Sequence, residues 1–185
     1  MTHDHSAASP FVESWIANVA VRLKADTTGE RATAKRALDL AMGRGRHARL
    51  LARHGFTTFG VDAKHDAVRD AVASAAREGL TIHGWCADLT ATPLPEAAFD
   101  VVVVARYLQR DLFDAIKASV RPGGWVIYET FTVAQLAHGA GPKSPDHLLR
   151  PGELRSYFDG WDILSYGETD EGEAVARLAA RSFSR

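Results

Sequence analysis

Two aspartates stand where an acidic side chain could meet a cationic or hydroxyl-bearing ligand. Asp39 lies near the end of a short apolar run, four residues before Gly43. Asp62 ends a second apolar run 19 residues after Gly43, which is where a nucleotide-binding unit places the acid that accepts the ribose hydroxyls. The two aspartates therefore indicate a site for a nucleotide-like ligand.

The residues around these aspartates predict the elements that position them. Apolar residues before Gly43 predict a short strand, and Gly43 with Gly45 predicts a tight turn. Residues 46–54 predict a helix, whose free N–H groups lie beside a turn that a ligand can approach closely. A second strand is predicted over residues 57–61, which completes a β-α-β unit.

The remaining chain alternates between strand and helix patterns and closes with a hairpin. The β-branched run over residues 99–105 predicts a central parallel strand that is buried on both faces. The last two strands are joined by an acidic turn too short for a helical crossover, so one strand should be reversed. The other predicted elements are helices at 65–78, 108–120 and 152–158, and strands at 80–83, 125–130, 161–166 and 174–181.

The first 34 residues are predicted to form a tail and a helix, ahead of a main domain over residues 35–185. Apolar residues at helical spacing over residues 11–20 predict the helix. It would either lie over the ligand pocket or cover the sheet edge or core. Residues 26–30 predict a turn that leads into the first strand.

Composition excludes several classes of protein and site. A chain of 185 residues, 46% apolar, fits one α/β domain with a sheet covered on both faces. The formal charge of −1 makes nucleic acid a poor partner. The single Cys86 excludes an internal disulfide, and with His83 it favours a structural role over a metal site. No signal peptide or membrane-spanning run is present, which predicts a cytoplasmic protein; the oligomeric state stays open.

The glycine turn also has to be weighed as part of a dinucleotide site. Residues 43–48 match the G-x-G-x-x-G/A pattern of NAD-dependent oxidoreductases. Asp39 argues against that interpretation, because its carboxylate would repel a pyrophosphate at close range. It would attract a ligand that carries an ammonium and a sulfonium, as S-adenosylmethionine does.

Residues 38–46 resemble the first motif of the class I S-adenosylmethionine-dependent methyltransferases. Four more stretches resemble later motifs of this family: 60–62 the ribose-binding acid, 87–89 the third motif with its adenine-binding acid, 99–104 the fourth motif, and 121–124 the turn before strand five. The resemblance implies a Rossmann-like, doubly wound α/β fold with a mostly parallel sheet in the order 3-2-1-4-5-7-6. One departure is Ala41, at the family's usual first glycine, where we expect ordinary strand or bridge dihedrals.

The same resemblance implies which residues bind S-adenosylmethionine. These are Asp39, Leu40, Ala41, Gly43, Gly45, Asp62, Ala63, Asp88, Leu89 and Ala105. Turn or helix-cap stabilisation is the alternative role of the aspartates. Residues 128–131 and 147–154 further resemble the tellurite-resistance-type branch of small methyltransferases, which implies a small acceptor such as a thiol, a chalcogen oxyanion or another small anion.

Four residues are candidates for the acceptor side of the site. Arg106 and Tyr107 follow strand four at its carboxyl end, where ligands gather in such sheets, although packing on the next helix is the alternative. Arg150 could bind an anionic acceptor that Glu129 orients, and a surface pair of Arg150 with Glu153 is the plain alternative. His47 and His147 are the candidates for a base.

Methyl transfer to a small molecule is the predicted function. The reaction needs alignment of the acceptor and exclusion of water, and a base only where the acceptor arrives protonated. The two alternatives are an NAD-dependent oxidoreductase and a protein that binds S-adenosylmethionine without turning it over.

Overall fold

The computed structural model describes residues 8–25 and 34–183, which form one sheet with helices on both faces. The seven strands follow the order β3-β2-β1-β4-β5-β7-β6. All neighbours pair in parallel except those of β7, which is antiparallel to both β5 and β6. The predicted fold class, strand order and reversed strand are confirmed.

The strands and helices have the following bounds. The strands are β1 Arg36–Leu40, β2 Thr57–Asp62, β3 Ile82–Cys86, β4 Phe99–Ala105, β5 Val120–Phe131, β6 Asp162–Thr169 and β7 Val175–Arg181. The α-helices are α1 Pro10–Ala25, α2 Arg46–Arg53, α3 His65–Arg77, α4 Phe113–Ser119 and α5 Glu153–Ser156. Among the described helices, none is long and apolar enough to cross a membrane.

The centre of the sheet is β4, which has the predicted bounds and is buried along its whole length. Alternate residues of β4 point to opposite faces, as a pleated strand requires. Val101 and Val103 pack in the core beneath α1 and α2, whereas Val102 and Val104 pack in the core beneath α4 and α5. The carboxyl ends of β1, β2, β4 and β5 consequently meet along one edge.

Two predicted elements are shifted or shortened. The third strand runs over Ile82–Cys86 instead of residues 80–83, because β2 pairs with it from Thr58 opposite Ile82 to Asp62 opposite Cys86. The helix predicted over residues 108–120 is reduced to a 3₁₀ turn at Arg110–Leu112 and α4. The residues before it stay extended, since the Tyr107 carbonyl accepts a hydrogen bond from the Tyr128 hydroxyl at 2.9 Å.

The turn predicted at residues 121–124 is absorbed into β5, which begins at Val120, opposite Phe99 of β4. The register shifts there, between Phe99 and Val101. The predicted helix at 152–158 is a single turn, α5, which starts after Gly152 in a left-handed conformation with φ 76°. The early start of β5 lies at the opposite end of that strand from the ligand-binding edge.

The N-terminal helix α1 is longer than predicted and belongs to the core. Val12, Ile16 and Val19 are fully buried and pack with Trp125 and Ile127 of β5. The structure thus favours the interpretation that this helix covers the sheet. The turn predicted at 26–30 lies outside the described residues.

Candidate active site

Asp39 is a buried carboxylate beneath the glycine turn. Its side chain is 1% exposed, and its Oδ2 accepts a hydrogen bond from the backbone N–H of Ala48 at 2.8 Å. Burial raises the pKa of Asp39 to about 7, against the lowering effects of that N–H and of the Arg46 charge. Asp39 therefore caps the first turn of α2, and a nearby cation would stabilise its ionised form.

Asp62 ties the end of β2 to the glycine turn. Its Oδ2 accepts the N–H of Gly43 at 2.8 Å, and its Oδ1 accepts the N–H of Lys64 at 2.9 Å. Gly43 and Gly45 are both left-handed, with φ of 53° and 73°. A Cβ on Gly43 would meet no atom within 4 Å, so the turn leaves open space beside the carboxylate.

Ala41 contradicts the expectation of ordinary strand or bridge dihedrals. Its φ is 53°, in the left-handed region that glycine adopts readily and alanine does not. The next residue fixes this conformation, because the Met42 N–H donates to the Val61 carbonyl at 2.9 Å while its carbonyl accepts the N–H of Gly45 at 2.9 Å. The turn keeps the geometry of a glycine at this position and stores backbone strain.

The loop after β3 places Asp88 near the end of β2. The Ala87 N–H donates to the Asp62 carbonyl at 3.1 Å. Asp88 is exposed, and its Oδ1 accepts hydrogen bonds from the N–H and hydroxyl of Thr90, which lower the pKa of the carboxyl. Leu89 is buried. The turn role of Asp88 is thus observed, and its other carboxylate oxygen has no hydrogen bond among the described residues.

Two cavities meet at the glycine turn. One of about 870 Å³ joins the turn to the end of β4; its lining includes Ala41, Gly43, Arg46, His47, Ala105 and Arg106. A second, of about 760 Å³, lies outside the end of β2; its lining includes Gly43, Arg44, Asp62 and Lys64. Predicted cofactor and acceptor residues therefore line a continuous space at one edge of the sheet.

Arg106 is held rigidly at the end of β4. Its φ is 58°, and its N–H donates to the carbonyl of Glu129 at 2.7 Å. Its guanidinium forms two hydrogen bonds with the carboxylate of Glu173, at 2.8 and 2.5 Å, which raise the pKa of Arg106. It also lies over the ring of Phe131, 5.0 Å from the centroid.

Glu129 lies on β5 next to Arg106, and its side chain is fully enclosed. The residue is 2% exposed, and its Oε2 accepts hydrogen bonds from the Ser9 hydroxyl at 2.8 Å and from Arg177 Nε at 2.7 Å. Arg177 faces it from the adjacent strand β7. The two donors, from the N-terminal segment and from β7, hold the Glu129 side chain in one position.

Tyr107 faces the cofactor residues. Burial raises the pKa of its hydroxyl, and so do the charges of Asp88, Asp111 and Asp62. The hydroxyl donates to the side-chain oxygen of Gln109. The charges of the predicted cofactor residues Asp62 and Asp88 thus act on the Tyr107 hydroxyl, although neither of the two cavities includes Tyr107 in its lining.

Arg150 does not pair with Glu153 through its side chain. Glu153 accepts the backbone N–H of Arg150 at 2.7 Å and two hydrogen bonds from the guanidinium of Arg110, at 2.6 and 3.0 Å. The Arg150 side chain is exposed, beside the end of β5, where the Leu149 N–H donates to Phe131. Neither of the two cavities includes it in its lining.

The histidines predicted as possible bases have different surroundings. His47 is 3% exposed, its Nε2 accepts the N–H of Ser9 at 3.3 Å, and burial lowers its pKa to about 3. Its lone pair is therefore occupied, and it is a poor base. His147 is exposed. His83 stacks on Phe59, and no metal-binding cluster of three His, Cys, Asp or Glu residues occurs in the described part of the chain.

Sequence reasoning missed three residues of the site: Arg46, Glu173 and Ser9. Arg46 belongs to the predicted helix and to the stretch that resembles the first motif, but not to the predicted site residues. It lines the larger of the two cavities, and burial and the charge of Arg106 lower its pKa. Glu173 was counted only as part of an acidic turn. Arg46, directly after the glycine turn, was the only one whose position in the chain indicated a site.

Comparison with known proteins identifies the domain that these residues build. Residues 37–124 match a family model described as a methyltransferase domain. This part of the chain, just under half of its length, is therefore similar to a methyltransferase domain. The preference for this class over an NAD-dependent oxidoreductase is confirmed.

Two curated relatives and one solved structure are similar to this chain. Hemagglutinin 1 of Eikenella corrodens is 30% identical over 71% of this chain and 45% of its own length. An ubiquinone biosynthesis O-methyltransferase of Paraburkholderia phymatum is 30% identical over 60% of this chain and 50% of its own. The crystal structure of TehB from Haemophilus influenzae shares the fold with a TM-score of 0.67 and 21% identity, over 89% of this chain and 61% of that one. The chain spans about half the length of the two curated relatives.

S-adenosylmethionine is the cofactor of this family, and the described residues fit it. The buried Asp39, with its raised pKa, suits a cationic amino-acid end. Asp62 can accept hydrogen bonds from ribose hydroxyls while it holds the Gly43 N–H. The open space at Gly43 allows the close approach that such a ligand requires.

Proposed function

We propose that the protein transfers a methyl group from S-adenosylmethionine to a small anionic acceptor, such as a thiolate or a chalcogen oxyanion. One observation carries this proposal. The guanidinium groups of Arg46 and Arg106 line the same cavity as the glycine turn and Ala105. An acceptor in that cavity would lie at the end of β4, next to the predicted position of the cofactor's amino-acid end.

The charges around this cavity favour an anion. Arg46, Arg106 and Arg177 bring three positive charges, against the carboxylates of Glu129 and Glu173. Asp39 is about half protonated near neutral pH, because its pKa is about 7. The cluster therefore retains excess positive charge, which a small anion would neutralise in partly buried surroundings.

The chain's own residues would do three things in the reaction. Asp39 and Asp62 hold the cofactor, and Ala105 and Tyr107 border it. Arg106, fixed by Glu173, supplies the positive charge that orients the acceptor. Bound S-adenosylmethionine would supply a methyl group on a positively charged sulfur, and S-adenosylhomocysteine would leave after the transfer.

No base is needed for such acceptors. A thiolate or an oxyanion arrives deprotonated, and the occupied lone pair of His47 agrees with a site that takes no proton. Alignment and exclusion of water then become the main contributions of the protein. Arg150, exposed beside the end of β5, would attract the acceptor from outside the cavity, and Glu129 would fix the position of Arg106.

Binding and turnover assays test the proposal. Calorimetric titration should show binding of S-adenosylmethionine and S-adenosylhomocysteine but not of NAD. S-adenosylhomocysteine release should then be measured with selenite, with mercaptoacetate and with the uncharged 2-mercaptoethanol. We expect the charged acceptors to be preferred.

Two variants separate the acceptor side from the cofactor side. Arg106→Gln should lower kcat/KM for mercaptoacetate by about tenfold or more with unchanged cofactor affinity, since a charge-assisted contact is removed. Arg44→Gln is the matched control, because Arg44 lines the same cavity but is 85% exposed. Cofactor binding without turnover of any acceptor would favour a non-catalytic binding protein. Equal activity with the uncharged thiol would refute the anion preference.

A further inference from the structure

The start of helix α1 reaches the ligand-binding edge of the sheet. Ser9 lies just before the helix, and its carbonyl accepts the N–H of Glu13 at 2.9 Å, within the first turn. Val12 and Ile16, one and two turns further on, are fully buried in the core. The helix is therefore fixed against the sheet, and it holds Ser9, 8% exposed, in a defined place.

Both hydrogen-bond donors of Ser9 bind buried side chains from distant parts of the chain. Its N–H donates to His47 Nε2 at 3.3 Å, and its hydroxyl donates to Glu129 Oε2 at 2.8 Å. Glu129 is 120 positions away and His47 is 38 positions away. Arg177 is the second donor to the same carboxylate oxygen, at 2.7 Å.

Removal of the Ser9 hydroxyl would leave a buried carboxylate with a single side-chain donor. The loss of a hydrogen-bond donor destabilises the protein far more when the carboxylate is buried than when it is exposed. Glu129 would therefore have to shift towards Arg177 or be reached by water. The Glu129 main chain pairs with β4 and β7 on both sides, so a shift of the side chain would strain the main-chain hydrogen bonds on both sides. A shift of Glu129 would in turn displace the residues that it contacts.

Arg106 is the residue through which such a shift reaches the cavity. The Glu129 carbonyl accepts the Arg106 N–H at 2.7 Å, and the Glu129 charge acts on the guanidinium groups of Arg106 and Arg46. His47, which the Ser9 N–H fixes from the other side, lines the same cavity. The first residues of the helix are thus connected to the acceptor side at two points.

We propose that Ser9 is a positioning residue for the acceptor, acting through Glu129 on Arg106. This inference rests on the proposed function, since it is there that Arg106 orients the acceptor. The cofactor side should be insensitive to Ser9, because the hydrogen bonds of Asp39 and Asp62 run to the glycine turn and the starts of α2 and α3. The segment before the first strand therefore contributes to substrate recognition.

Three variants test this role. Ser9→Ala removes the hydroxyl, Ser9→Thr keeps it, and Ser14→Ala is the control, an exposed serine on the same helix. With mercaptoacetate as the probe, Ser9→Ala should raise the KM by about tenfold, the effect of one lost hydrogen bond to a charged group. The dissociation constant of S-adenosylhomocysteine should stay unchanged, Ser9→Thr should restore the KM, and Ser14→Ala should match the wild type.

A second measurement does not depend on an acceptor. Hydrogen exchange followed by mass spectrometry should show about tenfold faster exchange of the Arg106 amide in Ser9→Ala, since its acceptor is the Glu129 carbonyl. Peptides from β2 should exchange as in the wild type. Unchanged exchange at Arg106, or an equal loss of cofactor and acceptor affinity, would overturn the proposal. Faster exchange in a protein that methylates no acceptor would instead refute the proposed function and leave the connection between Ser9 and Arg106 in place.

Discussion

The cofactor side and the acceptor side of this edge are built in different ways. On the cofactor side, the aspartates bind backbone N–H groups that are near in the chain: Asp39 with Ala48, and Asp62 with Lys64. On the acceptor side, side chains bind one another over long separations, 67 positions between Arg106 and Glu173 and 120 between Ser9 and Glu129. The cofactor side is therefore formed by contacts around one turn, whereas the acceptor side forms only when the whole sheet is assembled.

This difference indicates which side can change without loss of the fold. A side-chain substitution does not remove a backbone N–H group. Mutations can therefore alter the cofactor side only through its carboxylates and through the conformation of the turn. The acceptor side depends on guanidinium and carboxylate pairs, each of which a single substitution can alter. Acceptor preference can therefore vary while cofactor binding is kept.

The largest effect expected on the cofactor side is the pH dependence of stability that Asp39 causes. Its pKa of about 7 in the folded protein lies above its value of 3.8 in the unfolded chain, so the stability it contributes at low pH is lost as pH rises through 7. Between pH 5 and pH 8, the free energy of unfolding of the wild type should consequently fall by about 2 to 3 kcal/mol more than that of Asp39→Asn. Urea denaturation at both pH values measures this difference. Asp170→Asn, on an exposed turn, is the control.

Parallel pH profiles of the free energy of unfolding in wild type and Asp39→Asn would contradict this difference between the cofactor side and the acceptor side. Asp39 would then be stabilised by charges beyond the turn, as the acceptor-side residues are.

Asp62→Ala tests whether the cofactor side depends on its carboxylates. The change removes the proposed acceptor of the ribose hydroxyls and the partner of the Gly43 N–H, so affinity for S-adenosylmethionine should fall by about 1 to 3 kcal/mol. Calorimetric titration gives the value. Asp114→Ala, with a 95% exposed side chain on α4, should bind as the wild type does. Undiminished affinity in a folded Asp62→Ala protein would remove the ribose assignment.

Ala41→Gly should have the smallest effect on the free energy of unfolding. It tests the backbone strain in the glycine turn separately from the carboxylates. Relief of the left-handed strain, of about 1 to 2 kcal/mol, is offset by the greater backbone entropy that glycine loses on folding, about 0.5 to 1 kcal/mol. We expect a net gain in free energy of unfolding of under about 1 kcal/mol, with the KM for mercaptoacetate unchanged. Chemical denaturation and kinetics check both, with Ala73→Gly on α3 as the control that should only lose stability. A loss of stability in Ala41→Gly would mean that the strain at Ala41 is absent.

Sequence patterns predicted well where the determining contacts are short-range. Strand β4 follows from a continuous β-branched run, and the positions of Asp39 and Asp62 follow from their spacing to Gly43. The third strand was misplaced because its register is set by pairing with β2, which a local pattern does not contain.

The long-range contacts of the site could not be found in this way. Nothing near Ser9 in the chain indicates that its hydroxyl meets Glu129, and Glu173 has the composition of any acidic turn. The backbone of Ala41 was mispredicted for a related reason. Its left-handed conformation is fixed by the hydrogen bond of Met42 to Val61 on the neighbouring strand.

Because β5 pairs with β7, the last strand along the chain, the two sides of the site form at different times during synthesis. The glycine turn and Asp62 leave the ribosome early, whereas Arg177, the second donor to Glu129, is made more than a hundred residues later. At about 5 to 20 residues per second, that interval is on the order of ten seconds. A nascent chain therefore contains every carboxylate of the cofactor side before the acceptor side can form, and Glu129 stays without its Arg177 partner until the last strand pairs.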